Sequence, residues 1–99
     1  MVSMTQHYLA GELSILLGQL QAVAPNQALL RDVGRLRRDV ETGPLTALGS
    51  VVVRALELTD TFCWESLGRG DTGGFTRQAA LGAEMCELGT CAGLLEEED

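Results

Sequence analysis

Apolar side chains recur every three or four residues in four successive segments of the chain. In the first segment, residues 5–24, this spacing gathers one set of leucines on one side of a helix: Leu9, Leu13, Leu16, Leu17 and Leu20. Pro25 ends the segment, because proline donates no backbone hydrogen bond and biases the preceding residue away from helical geometry. Asn26 is a favoured N-cap residue, so we predict that a second helix starts at once.

The second segment has a narrower apolar seam. Its members alternate at spacings of four and three: Leu29, Val33, Leu36 and Val40. This spacing is typical of a helical hairpin or a coiled coil, and the rest of the segment is charged. Gly43 suits a helix C-terminus, and Pro44 suits the first turn of a helix. We therefore predict a short connection, followed by a third helix from about Pro44 to Leu67.

The third predicted helix carries the broadest apolar face. That face contains Leu48, Val52, Ala55, Leu56, Thr59, Phe62 and Cys63, and it is widened by Val51 and Val53. The opposite side is polar, with Ser50, Arg54, Glu57, Thr61 and Glu65, so the helix is amphipathic. We predict that this helix is the central and most buried element.

A break at residues 68–71 separates the third helix from a fourth, which Asp71 or Thr72 caps and which runs to about Leu94. The fourth helix has two adjacent stripes. The large residues are Leu81, Met85, Leu88, Ala92 and Leu95, and the small ones are Ala79, Gly82, Cys86, Gly89 and Gly93. Small residues allow another helix to approach closely, so we expect the small stripe to be buried.

Four helices with short connections and one apolar face each predict an all-α, up-and-down antiparallel four-helix bundle. The alternative is a set of helical hairpins that complete their core by dimerisation. We assign residues 1–95 to one domain, because 99 residues support one core. Residues 96–99 add four negative charges at the negative end of the last helix dipole, so we expect an acidic disordered tail.

Charge and hydropathy narrow the possible partners. A formal net charge of −7 opposes binding to nucleic acid or to an anionic membrane, since both need clustered cations. The longest apolar runs have three residues, far fewer than the ~20 that span a bilayer. The first residues lack a basic export signal, and three cysteines do not pair completely, so we expect a cytoplasmic protein with reduced thiols.

One motif resembles a nucleotide-binding fingerprint. Gly68-x-Gly70-x-x-Gly73 matches the glycine spacing of dinucleotide-binding loops. That fingerprint needs a preceding strand, whereas a helix is predicted here, and Asp71 would place a carboxylate where a phosphate should lie. We therefore interpret the motif as an interhelical turn and expect no cofactor.

The cysteines invite a metal or redox interpretation. Cys86 and Cys91 are five residues apart, about 140° around a helix, so they cannot chelate one ion from a regular helix. We predict that Cys63 and Cys86 are buried as small apolar residues and that Cys91 meets solvent. A small-ligand or metal-binding bundle that uses Cys63, Cys86 and His7 in its interior is the alternative function. No convergent catalytic set is evident, and the chain has no lysine for a Schiff base or a P-loop.

Two features are candidate interfaces. Arg31, Arg35 and Arg38 form a cationic stripe that could dock an acidic partner. The interleaved acids favour a solvated face instead, with Arg35–Asp39 and Arg37–Glu41 as ion pairs four residues apart. Trp64 lies off the main core line, so it either anchors an interface or, as we favour, seals the end of the bundle. Met85 and Leu88 complete the candidate interface.

The arginine-only basic composition and two segments, residues 7–14 and 91–95, resemble short uncharacterised all-helical proteins of high-GC actinobacterial genomes. That resemblance implies no activity, cofactor or site residue. We therefore expect a non-enzymatic protein–protein interaction or regulatory module, which self-associates as a homodimer and offers an acidic surface to a protein partner.

Overall fold

A computed structural model describes residues 4–93, with side chains from Gln6 onward. The described chain forms α1 (Met4–Ala22), α2 (Gln27–Thr42), a 3-10 turn (Leu45–Ala47), α3 (Leu48–Gly68) and α4 (Thr72–Cys91). All four predicted helices are confirmed. The predicted end of helix 4 at Leu94, the stripe member Leu95 and the acidic residues 96–99 lie outside the described residues.

Side-chain caps fix where two of the helices begin. Asn26 caps α2, because its Oδ1 accepts a hydrogen bond from the Leu29 amide at 2.9 Å. Asp71 caps α4 in the same way, and its Oδ1 accepts from the Gly74 amide at 2.9 Å. Asn26 is the predicted cap of the second helix, and Asp71 is one of the two residues predicted to cap the fourth.

The predicted start of the third helix at Pro44 is wrong by four residues. Pro44 has a ψ of 145°, which keeps its backbone extended. The chain then tightens into the 3-10 turn, where the Ala47 amide donates to the Pro44 carbonyl at 3.0 Å. Gly43 ends α2 as predicted, and its amide donates to the Asp39 carbonyl at 2.8 Å.

The four helices form an up-and-down bundle that is flattened across one diagonal. α3 packs most extensively on α4, α1 packs on α2, and α1 also contacts α4, which closes the ring of helices. A direct contact between α1 and α3 crosses the centre. The Cα positions accordingly extend over 46 × 33 × 16 Å. α1 and α3 therefore form the centres of two opposite broad sides, and α2 and α4 lie at the edges.

The core occupies the inner sides of all four helices, as the apolar spacing predicts. It consists of Leu9, Leu13, Leu16, Leu17, Leu20, Leu29, Val33, Leu36, Val40, Leu48, Val51, Val52, Ala55, Phe62, Leu81 and Met85. Phe62 and Met85 are fully buried. Val53 is an exception, since 43% of it is exposed, so the prediction that it widens the core face is wrong.

Two side-chain hydrogen bonds connect the helices at one end of the bundle. The fully buried Gln78 donates its Nε2 hydrogen to the Val23 carbonyl at 2.9 Å, near the end of α1. Arg69, in the turn between α3 and α4, donates to the Pro25 carbonyl at 2.6 Å. The acceptors are carbonyl groups just past the end of α1, which have no backbone N–H of a following helical turn to accept from. The two hydrogen bonds join the α3–α4 turn to the α1–α2 turn.

Candidate functional site

Large apolar side chains are exposed on the outer side of α3. Trp64 is 69% exposed, and Val53 and Leu67 are 43% and 45% exposed. The prediction that Trp64 seals the bundle is therefore wrong. Trp64 follows the buried Phe62 by two residues, which turns it about 200° around the helix and away from the core. The other interpretation of Trp64, an interface anchor, stays a prediction.

Small side chains are exposed on the adjoining side of α4. Ala79, Ala83 and Cys86 are exposed, and Gly82 is half-buried. The prediction that Cys86 and the whole small stripe are buried is wrong, because the fully buried neighbour is Met85 and one residue turns the helix by about 100°. Gly89 is the member of the stripe that is buried. The exposed members form a shallow surface of small residues.

A close contact places these two surfaces side by side. A Cβ atom at Gly82 would lie 3.0 Å from the Thr59 side chain, so α3 and α4 meet between these residues. Residues further from the core around each helix consequently share the outer side of the pair. We call this surface the α3/α4 face and define it by Val53, Trp64, Leu67, Ala79, Ala83 and Cys86. Glu57 and Asp60 are exposed on α3 between Val53 and Trp64, and they contribute two negative charges to this side.

The structure also tests the other candidate interface residues on α4. Met85 is fully buried, so the prediction that it forms part of an interface is wrong. Its side chain belongs to the core between α4 and the other helices. Leu88 is half-buried and packs against the same core. Neither residue lies on the α3/α4 face.

The arginines of α2 are arranged differently from the predicted ion pairs. Arg37 pairs with Glu41 at 3.3 Å, as predicted. The predicted Arg35–Asp39 pair is wrong, because Asp39 pairs across the helices with Arg54 at 2.9 Å. Arg31, Arg35 and Arg38 are exposed and form no ion pair with the described residues. The sequence places these three on one stripe, and none of them is ion-paired within the described part of the chain, although the exposed Asp32 and Glu41 lie on the same helix near them.

An open groove of about 790 Å³ lies along this stripe. It is lined by Gln21, Leu30, Arg31, Gly34, Arg35, Arg37, Arg38 and Glu41. Gly34 places no side chain in the groove, and a Cβ there would lie 3.4 Å from the side-chain Nε2 of Gln21. We call this feature the arginine groove. Its volume is about twice that of two other grooves along the described residues, which are about 390 Å³ each.

Arg37 forms one wall of the arginine groove and is held in place. Its guanidinium lies against Gly18, where a Cβ would be 3.3 Å from the Arg37 Cζ. It donates to Gln21 Oε1 at 3.4 Å and to Ser14 Oγ at 3.5 Å, in addition to its contact with Glu41. Arg37 therefore joins α1 to α2, whereas the three neighbouring arginines have no such role.

The cysteines and the histidine do not converge. Cys86 and Cys91 are exposed, Cys63 is half-buried and His7 is exposed near the start of α1. Within residues 4–93, no three His, Cys, Asp or Glu side chains are close enough to share a metal ion. Burial, and then the nearby Asp60 carboxylate, raises the pKa of the Cys63 thiol above its usual value. Such a thiol is a slower nucleophile than an ordinary cysteine, because the thiolate is the reactive form.

The glycine-rich motif spans the turn between α3 and α4, as predicted. Gly68 is the last residue of α3 and Gly73 lies in the first turn of α4. Gly70, in the turn itself, has a φ of +73°, a backbone conformation that glycine adopts without strain. The Asp71 carboxylate accepts the hydrogen bond at the α4 N-terminus, so a bound anion would meet a like charge. A shallow groove of about 390 Å³ beside it is lined partly by Ser66, Asp71 and Arg77. It lacks the strand and the open helix N-terminus of a dinucleotide site.

Comparison with known proteins gives no family assignment. No family model, curated protein or solved structure matches the chain. The resemblance to short actinobacterial helical proteins therefore stays a prediction. None of the helices in the described part of the chain combines the length and the apolar character that crossing a membrane requires.

Proposed function

We propose that this protein is a non-enzymatic protein–protein interaction module that self-associates as a homodimer through the α3/α4 face. The observation that carries the proposal is the exposure of Trp64, with Leu67 three residues further along α3 and Val53 about 16 Å away on the same side of the helix. Exposed large apolar side chains that share one side of a folded protein are characteristic of interaction sites. The three free cysteines fit a reducing compartment, so we place the module in the cytoplasm.

The shape of the α3/α4 face supports a second copy as its occupant. Large side chains form a ridge on α3, and small ones form a trough on the neighbouring α4. In a two-fold dimer the same patch of each subunit meets the other. The ridge around Trp64 of one copy would then lie in the trough around Ala83 of its partner, and the reverse. A face that contains both halves of a complementary pair side by side needs no second protein to fill it.

Size and charge both predict a weak dimer. The face runs about 21 Å along the helices from Val53 to Leu67 and is about 20 Å wide, which gives about 400 Å² per subunit. That area is at the small end for protein interfaces, so we expect a dimer that dissociates on dilution. Each copy carries a net charge of −7, and the face would bring Glu57 and Asp60 of both copies together. The repulsion between these carboxylates is a second reason to expect a dimer that dissociates on dilution.

The mass of the protein in solution tests the proposal. We expect the weight-average mass to rise from 10.6 kDa towards twice that value as the concentration increases from about 1 µM to about 1 mM. In Trp64→Gln, we expect dimerisation to weaken at least about tenfold, because the largest exposed apolar side chain is lost from the face. Sedimentation equilibrium measures both constants.

Tyr8→Gln is the matched control for this measurement. Tyr8 is 66% exposed, much as Trp64 is, but it lies on α1 at the opposite broad side. The Tyr8 variant should dimerise within about twofold of the original protein. A constant monomer mass up to about 1 mM would contradict the homodimer, and equal weakening by the two substitutions would contradict the assignment to the α3/α4 face.

Two exposed cysteines of α4 provide an independent test without substitution. Cys86 belongs to the α3/α4 face, whereas Cys91 lies about 140° further around the same helix. Raising the protein concentration should slow maleimide labelling of Cys86 at least about fivefold and leave labelling of Cys91 unchanged. Peptide mass spectrometry after a timed pulse separates the two sites. Labelling rates that are independent of concentration at both sites would contradict burial of Cys86 in a dimer.

A further inference from the structure

We propose that the arginine groove of α2 is a second, separate interaction site and that its ligand is a short carboxylate-rich segment of another protein. The groove lies between α1 and α2, whereas the α3/α4 face lies on α3 and α4. A dimer formed through the α3/α4 face would therefore leave both grooves accessible. The groove and the proposed dimer interface use different residues, so an experiment can contradict one proposal without affecting the other.

Unpaired charge is the first argument. Arg31, Arg35 and Arg38 are exposed and form no ion pair with the described residues, although the chain has twice as many acidic as basic residues. Asp39, which lies on α2 beside these arginines, pairs with Arg54 of α3 instead. The structure thus concentrates three free guanidinium groups along one side of a helix. An anionic ligand would supply the partners that the chain itself does not place there.

The length of the stripe selects the ligand. The three arginines span seven residues, about 10 Å along α2. Two or three carboxylates of a peptide match this length, either at positions i, i+4 and i+7 of a helix or at alternate residues of an extended segment. Guanidinium groups also bind carboxylates with two parallel hydrogen bonds, which favours Arg over Lys in this role.

The charge around the stripe disfavours a long polyanion. α2 carries four arginines and three acidic residues, whereas the rest of the chain carries three arginines and eleven acidic residues. A nucleic acid extends beyond 10 Å with regularly spaced phosphates, so it would meet the acidic surroundings. A short acidic segment can remain within the cationic stripe. The local charge therefore points to a peptide.

The shape of the groove is a further argument for a peptide ligand. Gly34 leaves an opening between the arginines and α1, and half-buried Leu30 offers an apolar surface within it. Arg37 contacts Ser14 and Gln21 of α1 and pairs with Glu41 on its own helix, so this wall is formed before a ligand arrives. A preformed wall lowers the ordering cost of binding. The ligand that fits carries acidic side chains with an apolar side chain between them.

Fluorescence anisotropy with a labelled octaglutamate peptide tests the site at low salt. We expect saturable binding that weakens with added NaCl, and no binding of the matched octaglutamine peptide. Arg31→Gln, Arg35→Gln and Arg38→Gln should each raise Kd about two- to fivefold, and the triple variant at least about tenfold. All three side chains are exposed, so circular dichroism should show that the variants keep the helical fold.

Arg77→Gln is the control, because it removes the same charge from an exposed arginine of α4 outside the groove. Its Kd for octaglutamate should change less than about twofold. Equal weakening by Arg77→Gln and Arg35→Gln, or equal binding of the glutamate and glutamine peptides, would overturn the proposal. Tighter binding of a short DNA duplex than of octaglutamate would overturn the choice of a peptide ligand. Sedimentation of the triple variant should still give the dimer constant of the original protein.

Discussion

Replacing Phe62 with alanine is expected to lower the free energy of unfolding by about 3–5 kcal/mol. Phe62 is fully buried on α3, which contacts all three other helices, as α1 also does. Its removal deletes apolar contacts and leaves a cavity that the surrounding leucines fill incompletely. Because a domain of this size has a total stability of about 5–15 kcal/mol, the variant should lose a large fraction of it. Urea denaturation followed by circular dichroism measures the change.

Trp64→Ala is the control for Phe62→Ala, since both remove an aromatic ring from the same helix two residues apart. Trp64 is mostly exposed, so its removal should cost less than about 1 kcal/mol when measured below the dimer dissociation constant. Similar losses for the two variants would mean that α3 is rotated from the position described here. The pair therefore tests the orientation of α3, on which both the core and the α3/α4 face depend.

The period of the apolar residues was sufficient to predict the helices and most of the core. Leu29, Val33, Leu36 and Val40 are buried as their spacing predicts, because a narrow seam leaves one orientation for α2. α4 is different, since apolar residues cover more than one side of it. The sequence pattern predicts that both Met85 and Cys86 are buried. In the structure, α4 packs against α3 at Gly82 in an orientation that buries Met85 and exposes Cys86. The spacing of the residues does not determine that orientation.

The candidate surfaces were predictable in part. The sequence identified the arginine stripe and Trp64, because unusual charge density and a single tryptophan are visible without a structure. It did not predict which acidic residue each arginine pairs with. Arg54 lies fifteen residues after Asp39, and the pair forms only because α2 and α3 pack side by side. Pairing across helices depends on tertiary packing, so only the structure shows that Asp39 pairs with Arg54 and that Arg35 forms no ion pair with the described residues.

The sequence pattern did not predict that Gln78 is buried. The signal that could have found it is its position seven residues before Met85, which places it on the inner side of α4. A polar residue at such a position predicts a buried hydrogen bond. Identifying the acceptor, the Val23 carbonyl fifty-five residues away, required the fold.

Replacing Gln78 with alanine is expected to cost about 2–4 kcal/mol of unfolding free energy. The substitution removes a fully buried side chain and withdraws the donor that satisfies the Val23 carbonyl. That bond joins α4 to the end of α1, so its loss should also increase hydrogen exchange in residues 20–26. Urea denaturation and native-state exchange measure the two effects.

Ser66→Ala separates the value of the Gln78 hydrogen bond from the effect of removing any buried polar group at this end of the bundle. Ser66 is 1% exposed, and its Oγ has no hydrogen-bond partner among the described residues, as is also true of Gln78 Oε1. Removing an unpartnered hydroxyl should be neutral or stabilising, because it ends a desolvation cost without breaking a bond. A loss for Ser66→Ala as large as that for Gln78→Ala would show that the hydroxyl forms a hydrogen bond in the folded protein, for which a buried water is the physical candidate. The polar end of the bundle would then be a connected network that stabilises both turns, in place of one decisive bond from Gln78 to α1.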